Sequence, residues 1–303
     1  MCLMSGALSR NTLTFAASWV HSASMKLTVL IDNNTLTDSY LLGEPALSLY
    51  MEEGGASVLL DCGYSDAASR NASRLGIDLA AIDTVALSHG HNDHTWGLVP
   101  LMACLAEKAA TGAPGRKPRL VAHPEALAPR QIAPGEPIGS LLGREALEQC
   151  FTVTLSREPV QLTDRLLFLG EIPRLLPFET ARPIGQRHGP QGLVPDELPD
   201  DTALAYCGGD GLVIITGCSH AGICNITEHA RRVTGLRRVA AIIGGLHLLA
   251  PDPALFAATA DYLKRTGLAA LYPCHCTGLA AKLALAKTLP LHDVGSGLRL
   301  SFS

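Results

Sequence analysis

The run Ser88-His89-Gly90-His91-Asn92-Asp93-His94 sets three imidazoles and a carboxylate within six consecutive positions, directly after the apolar run Thr84-Val85-Ala86-Leu87. The pattern reads as a strand delivering metal ligands into a loop. Neutral imidazole binds zinc or iron well, and carboxylate is a harder partner. His89 and His91 stand two apart, so in an extended segment they project to one side and can grip a single ion. Asp93 and His94 are adjacent, where the next helix should begin, and can face a second ion. Two ions about 3.5–4 Å apart can share a hydroxide and clamp the attacking and leaving oxygens of a displacement. The competing reading is a polar turn with surface histidines. The buried-type strand before the run, and further histidines at other strand ends, weigh against it.

The elements that would position these ligands repeat faintly along the chain. Residues 48–51 and 57–63 predict a hairpin around Gly54 and Gly55, which supply positive φ, and 203–207 with 212–218 repeat it around 208–211. A helix follows each hairpin, over 66–75 with a stop at Gly76 and over 225–233 with a stop near Gly235. A buried strand ending in histidine follows each helix, over 84–91 and 239–247. Two such units predict two sheets packed face to face with helices outside. The unbroken apolar runs 212–215 and 240–243 suit strands covered on both faces. Later helices over 253–266, with Asp252 as N-cap, Pro253 in its first position and Gly267 as stop, and over 278–288, capped by Thr277, fit the outer layers. The Pro- and Gly-rich stretch from 110 to about 199, with short strands at 119–122 and 165–169, reads as an insertion with loops near the site mouth. Loops of that kind usually set substrate choice.

Composition sets the outer bounds. A chain of 303 residues suits one large α/β domain or two smaller ones. With 47% hydrophobic and 17% charged residues it can build a core, and with 5% aromatics that core is mainly aliphatic. A net charge of −4 without a basic block argues against nucleic acid. No apolar run approaches the roughly 20 residues that span a bilayer, so no membrane partner is expected. Nine cysteines, an odd number scattered through apolar strands, do not make a disulfide scaffold and point to a reducing cytoplasm. Residues 1–24 make a poor secretory signal and are expected as a disordered extension before one domain over 25–303.

Eight motifs carry a family resemblance: DNNT (32–35), LLDCG (59–63), LSHGHNDHTWGL (87–98), GEIPR (170–174), DDTALA (200–205), ITGCSHAGICNI (215–226), GGLHL (244–248) and PCHCTG (273–278). Together they resemble the metallo-β-lactamase superfamily. Within it they are similar to the metal-dependent hydrolase branch related to a dihydropterin–ribofuranosylaminobenzene phosphate synthase. The likeness runs from about Met25 to the C-terminus. It implies a four-layer αββα sandwich, with His89, His91, Asp93, His94 and His275 as metal ligands. The superfamily usually carries a bridging Asp after the strand that here ends at Thr216-Gly217-Cys218-Ser219-His220, and another His near Asp200-Asp201-Thr202. This chain has neither. His220 is the candidate replacement ligand; Cys218 reads as a small buried thiol beside the ligands, although a thiolate can bind zinc. His188 is a weaker substitute, and Asp200 or Asp201 would harden the site toward iron or manganese. Cys274 and Cys276, alternating away from His275, are expected to pack rather than bind.

Four further expectations concern residues around the ligands. Asp61 should accept a hydrogen bond from the histidine loop and fix a ring tautomer. His247, the repeat counterpart of the first cluster, is a candidate acid, ligand or substrate contact. Arg174 could hold a phosphate or carboxylate, and Asn33 could touch substrate. Pro45 stands where related sequences often carry His, and Trp96 where a small Gly is usual. The expectation is an enzyme with two divalent ions, zinc before iron or manganese, acting on a small molecule. An activated hydroxide would attack an ester, amide or phosphoester, with Asp93 orienting it and moving the proton. The alternatives are a synthase-like transfer in which the metals activate a leaving oxygen, and a metal- or ligand-sensing protein without turnover.

Overall fold

The computed structural model describes residues 24–112, 116–132, 135–189 and 192–303, so the expected N-terminal extension lies, except for Ser24, outside the described residues. Two mixed sheets form the centre. The first runs, in spatial order, Arg299–Phe302, Met25–Ile31, Ser48–Glu53, Ala56–Leu60, Thr84–Ala86, Arg119–Ala122, Thr152–Leu155. The second runs Ala270–Cys274, Val239–Gly245, Gly211–Thr216, Ala203–Gly208, Leu166–Phe168, Val160–Gln161.

Strand alternation explains the layering. Met25, Leu27, Val29, Val58 and Leu60 from the first sheet interlock with Leu204, Tyr206, Val213, Ile215, Ala241 and Ile243 from the second. The residues between them turn outward. Leu30, Leu59 and Val85 meet Ala72, Leu98 and Leu101, from the helices Ala67–Arg74 and Leu98–Ala110. Ala205, Leu212, Ile214 and Ile242 meet Ile226, Ala230, Leu263 and Leu285, from the helices Ile223–Thr234, Pro253–Thr266 and Leu279–Leu285. The order is helix, sheet, sheet, helix: the expected αββα sandwich. Each fully buried aliphatic side chain in these layers is worth about 1.5–3 kcal/mol, which fixes where the strand ends emerge.

Local signals hold in part. Asp252 caps its helix through Ala254 and Leu255 N–H groups, and Gly267 ends it at φ 65°. Thr277 does not cap the last helix. Its hydroxyl instead accepts the Leu246 N–H at 3.0 Å and ties two strand ends together.

The stretch 110–199 divides three ways, which differs from a single insertion. Arg119–Ala122 and Thr152–Leu155 extend the first sheet by parallel pairing, and Val160–Gln161 and Leu166–Phe168 extend the second. The rest contributes a small sheet of Gly192–Pro195, Gln186–Gly189, Arg130–Ile132 and Glu136–Pro137. That sheet leans on the histidine loop, where His91 bridges Gly139 and the Asn92 N–H donates to the Ile138 carbonyl at 2.8 Å. No helix among the described residues is long and apolar enough to cross a membrane.

Candidate metal centre

The histidine loop leaves the strand Thr84–Ala86 and becomes helical at Asn92–Thr95. Its rings are aimed by a buried carboxylate. Asp61 Oδ1 accepts the Ser88 N–H at 2.7 Å, and Oδ2 accepts both the Ser88 hydroxyl and the His94 Nδ1–H at 2.7 Å. Having given its proton to Asp61, Ser88 Oγ accepts from His89 Nδ1 at 3.0 Å. Both tautomers follow from this network: His89 and His94 keep an Nε2 lone pair for a cation. Gly90, between the two loop histidines, donates its N–H to Asp200 Oδ2 at 2.9 Å.

Residues distant in sequence complete the cluster. Cys218 Sγ lies 3.2 Å from His94 Nε2. His275 Nε2 lies 3.2 Å from both His94 Nε2 and Asp93 Oδ2. Asp32 Oδ1 accepts the His275 N–H at 2.7 Å, and Asn33 Oδ1 stands 3.3 Å from His275 Nδ1, so Nε2 points inward. Two adjacent groups result, Asp93, His94, Cys218 and His275 in one, His89, His91 and His220 in the other, with ligand atoms within 4.8 Å of one another in each. Cys218 also groups with His220 and His247, so its sulfur lies between the two sets. Among the described residues six that are not glycine have positive φ, and four of them are Asp61, Ser219, His247 and His275. Such conformations persist only where surrounding contacts overdetermine them, and they gather at functional sites.

The donor set fits divalent cations. His220 Nε2 is buried without a hydrogen-bond partner among the described residues, and His89 Nε2 faces His91 Nδ1 at 3.0 Å. A cation satisfies lone pairs that imidazoles cannot satisfy for one another. Burial and neighbouring imidazoles push His89 and His220 well below the ordinary histidine range, and burial together with Arg130 brings His91 to about 4. Neutral imidazole is the ligating form. Burial alone would raise Asp93, but His94 and His275 outweigh it and hold the carboxylate low. Burial likewise opposes a charge on His94, yet Asp93 and Asp61 draw it up to about 9. The same two negative charges favour a metal cation at its Nε2, where it would take the place of that proton.

The structure thus gathers His89, His91, Asp93, His94, His220 and His275 at one place, with His247 at its rim and its ring 4.3 Å from that of His220. Asp61 lies beneath the loop, on Ser88 and His94. Cys218 is more central than a packing thiol. Cys276 is not turned away: its Sγ donates to the Cys218 carbonyl at 3.5 Å and accepts the His247 N–H at 3.3 Å.

Other expected residues stand elsewhere. Arg174 lies on loop backbone. Its Nη2 donates to the carbonyls of Glu197 and Leu198, clamping the loop before Asp200. Asn33 is exposed beside the cluster, with its Oδ1 on His275 Nδ1. His188 sits exposed on the strand Gln186–Gly189, outside both groups. Asp200 is not free to ligate, because Arg130 holds it at 2.5 Å and Gly90 at 2.9 Å. Asp201 accepts the Ala221 N–H at 2.9 Å. Trp96 stacks on Tyr64 with ring centres 4.9 Å apart and donates to the Gly139 carbonyl.

Sequence reasoning missed Asp32 and Arg130. Asp32 stood in the DNNT motif without a role. Arg130 is buried between Asp196 and Asp200, at 2.6 and 2.5 Å, and a Cβ on Gly90 would fall 2.0 Å from its Nη1. No local spacing signals either contact, since the partners lie 243 and 70 residues away.

Comparison with known proteins agrees with this geometry. The description "Metallo-beta-lactamase superfamily" matches residues 42–233. A 7,8-dihydropterin-6-methyl-4-(beta-D-ribofuranosyl)-aminobenzene-5'-phosphate synthase of Methanocaldococcus jannaschii is 31% identical, over 72% of this chain and 74% of its own. Among solved structures, Tm1679, described as a metal-dependent hydrolase of the beta-lactamase superfamily, is similar with a TM-score of 0.75 and 26% identity, over 91% of this chain and 98% of its own. Zinc-bound PqqB from Methylobacterium extorquens shares the fold, with a TM-score of 0.52 and 12% identity over 92% and 99% of the two chains.

Proposed function

The chain belongs to the metallo-beta-lactamase superfamily, and from that membership we propose that it is a dinuclear metal-dependent hydrolase of a small ester, amide or phosphoester. The observation that carries this reading is the pair of adjacent ligand groups sharing the space around Cys218. His89, His91 and His220 would hold one ion; Asp93, His94, His275 and Cys218 would hold the other. Zinc suits this nitrogen- and sulfur-rich set better than a hard ion does. When bound, two such ions polarise a carbonyl or phosphoryl oxygen and bring a water's pKa toward about 7.

The chain's own groups do the rest. Asp93 keeps a quarter of its side chain exposed, so its carboxylate can orient a water and take a proton at Oδ. His247 faces the adjoining cleft, and contact with Cys276 raises its pKa while burial opposes. It can therefore hold a proton and pass it to a leaving group. Metal analysis with a panel of phosphodiesters and carboxylic esters tests the reading. Full loading without turnover on any of them would sink it.

A second reading is transfer onto an arylamine, favoured by the synthase name of the 31% identical relative. It predicts condensation of a hydroxymethyl pterin with an arylamine and no ester cleavage. A sensing protein would bind metal and turn over nothing, and would gain nothing from the partly exposed Asp93.

A further inference from the structure

A cleft of about 310 Å³ starts at His220 and His247 and runs between the segments 178–184 and 246–251. Phe178, Ile184, Ile223, Leu246, Leu248 and Leu255 give it apolar walls. Beyond the histidines, two charged side chains line it, Glu179 and Arg182. Glu179 is already answered: its two oxygens accept the N–H groups of Cys224 at 3.0 Å and Asn225 at 2.8 Å. In doing so it also closes the N-terminus of the helix Ile223–Thr234 to any anion. A Cβ on Gly222 would lie 2.2 Å from a Glu179 oxygen, so the carboxylate is wedged in that place. Arg182 differs. It is exposed, and among the described residues it has no hydrogen-bond or ion-pair partner.

We propose that this cleft takes an amphipathic organic acid, its apolar body on the walls and its carboxylate on the Arg182 guanidinium. The inference rests on the hydrolase reading for the bond that is cleaved at the metal centre, and not for the anion that is bound. Ligand pockets commonly run from about 300 to 1,000 Å³, so this cleft suits a small substrate. A guanidinium presents paired N–H groups that match the two oxygens of a carboxylate. A phosphate monoester carries about −1.5 to −2 charges near neutrality, and at the far end of the cleft from the histidines one cation answers only part of that. Among the described residues no lysine and no second arginine lines the cleft. The sequence directed attention to Arg174 for anion binding; the fold puts Arg174 on loop carbonyls and leaves Arg182 at the cleft.

The test is calorimetric titration of the full chain, stripped of metal so that no probe can bind through an ion. The probes are 4-phenylbutyrate, its neutral amide and 3-phenylpropyl phosphate. Wild type should bind the carboxylate about two- to fivefold more tightly than the amide, the scale of one exposed charged contact. Arg182→Ala should erase that difference and leave amide binding unchanged, and Arg182→Lys should restore part of it. Equal binding of acid and amide by wild type, an undiminished preference in Arg182→Ala, or tighter binding of the phosphate would overturn the proposal. A zinc-loaded protein that cleaves no ester while the carboxylate preference persists would sink the hydrolase reading and leave the anion subsite standing.

Discussion

The two halves of the metal centre are built in different ways. The first half comes from one loop, residues 88–94, and is supported by buried charge: Asp61 beneath His94, and Asp200 on Gly90 with Arg130 behind it. The second half comes from three separate strand ends carrying Cys218 with His220, His247, and His275. Its supports are backbone turns and short side chains, with one buried carboxylate, Asp32, on the His275 N–H. Ser219, His247 and His275 take positive φ, Ser219 Oγ donates to the Gly245 carbonyl at 2.7 Å, and Asn33 meets His275 from a position open to solvent. The contrast teaches that one loop supplies a pre-aimed ligand set, whereas the second set exists only once both sheets have packed.

The largest effect should fall where the halves meet. Asp93 comes from the first half and touches His275 of the second. Asp93→Ala should lower kcat/KM by about 10²–10⁴-fold, the range for loss of a general base, with larger loss if an ion leaves as well. Steady-state kinetics beside metal analysis separates the two, and unchanged turnover would remove Asp93 from the mechanism.

Next come the supports of the first half. Arg130→Met takes from buried Asp200 its only paired cation among the described residues and leaves Asp196 with Arg187 alone, at 3.7 Å, which should cost about 3–5 kcal/mol in denaturant unfolding. A loss below about 1 kcal/mol, the scale of a surface pair, would show that this strut does not hold the loop. Asp61→Asn removes the carboxylate that aims His94 and should weaken metal binding about 10–100-fold in competition with a chelator.

The counterpart in the second half is the weakest. Asn33→Ala removes a neutral, solvent-exposed contact to His275 and should weaken metal binding by less than about tenfold, because Asp32 still holds the His275 backbone. Equal losses in Asn33→Ala and Asp61→Asn would erase the contrast between the halves.

This contrast also explains what the sequence disclosed. Central strands were legible because they are unbroken apolar runs covered on both faces, as where Val213 and Ile215 turn to one core and Leu212 and Ile214 to the other. The helix Pro253–Thr266 was legible because Asp252, Pro253 and Gly267 mark its ends. His89, His91, Asp93 and His94 were legible because they are contiguous. Arg130, Asp32 and Cys276 were not, since each acts through partners brought near only by the packed sheets. The short strands Thr152–Leu155 and Val160–Gln161 were hidden for the same reason: pairing at a sheet edge, and not local pattern, makes them strands.

The central claim is that one site holds two ions, the second half standing in for a missing histidine and a missing bridging aspartate. Anomalous scattering from crystals of the zinc-loaded protein tests it most directly. Two ions are expected, one on His89, His91 and His220, the other on Asp93, His94 and His275 with the Cys218 sulfur about 2.3 Å away. A single ion, or a second ion held by Asp200 or Asp201 with Cys218 left out, would contradict it.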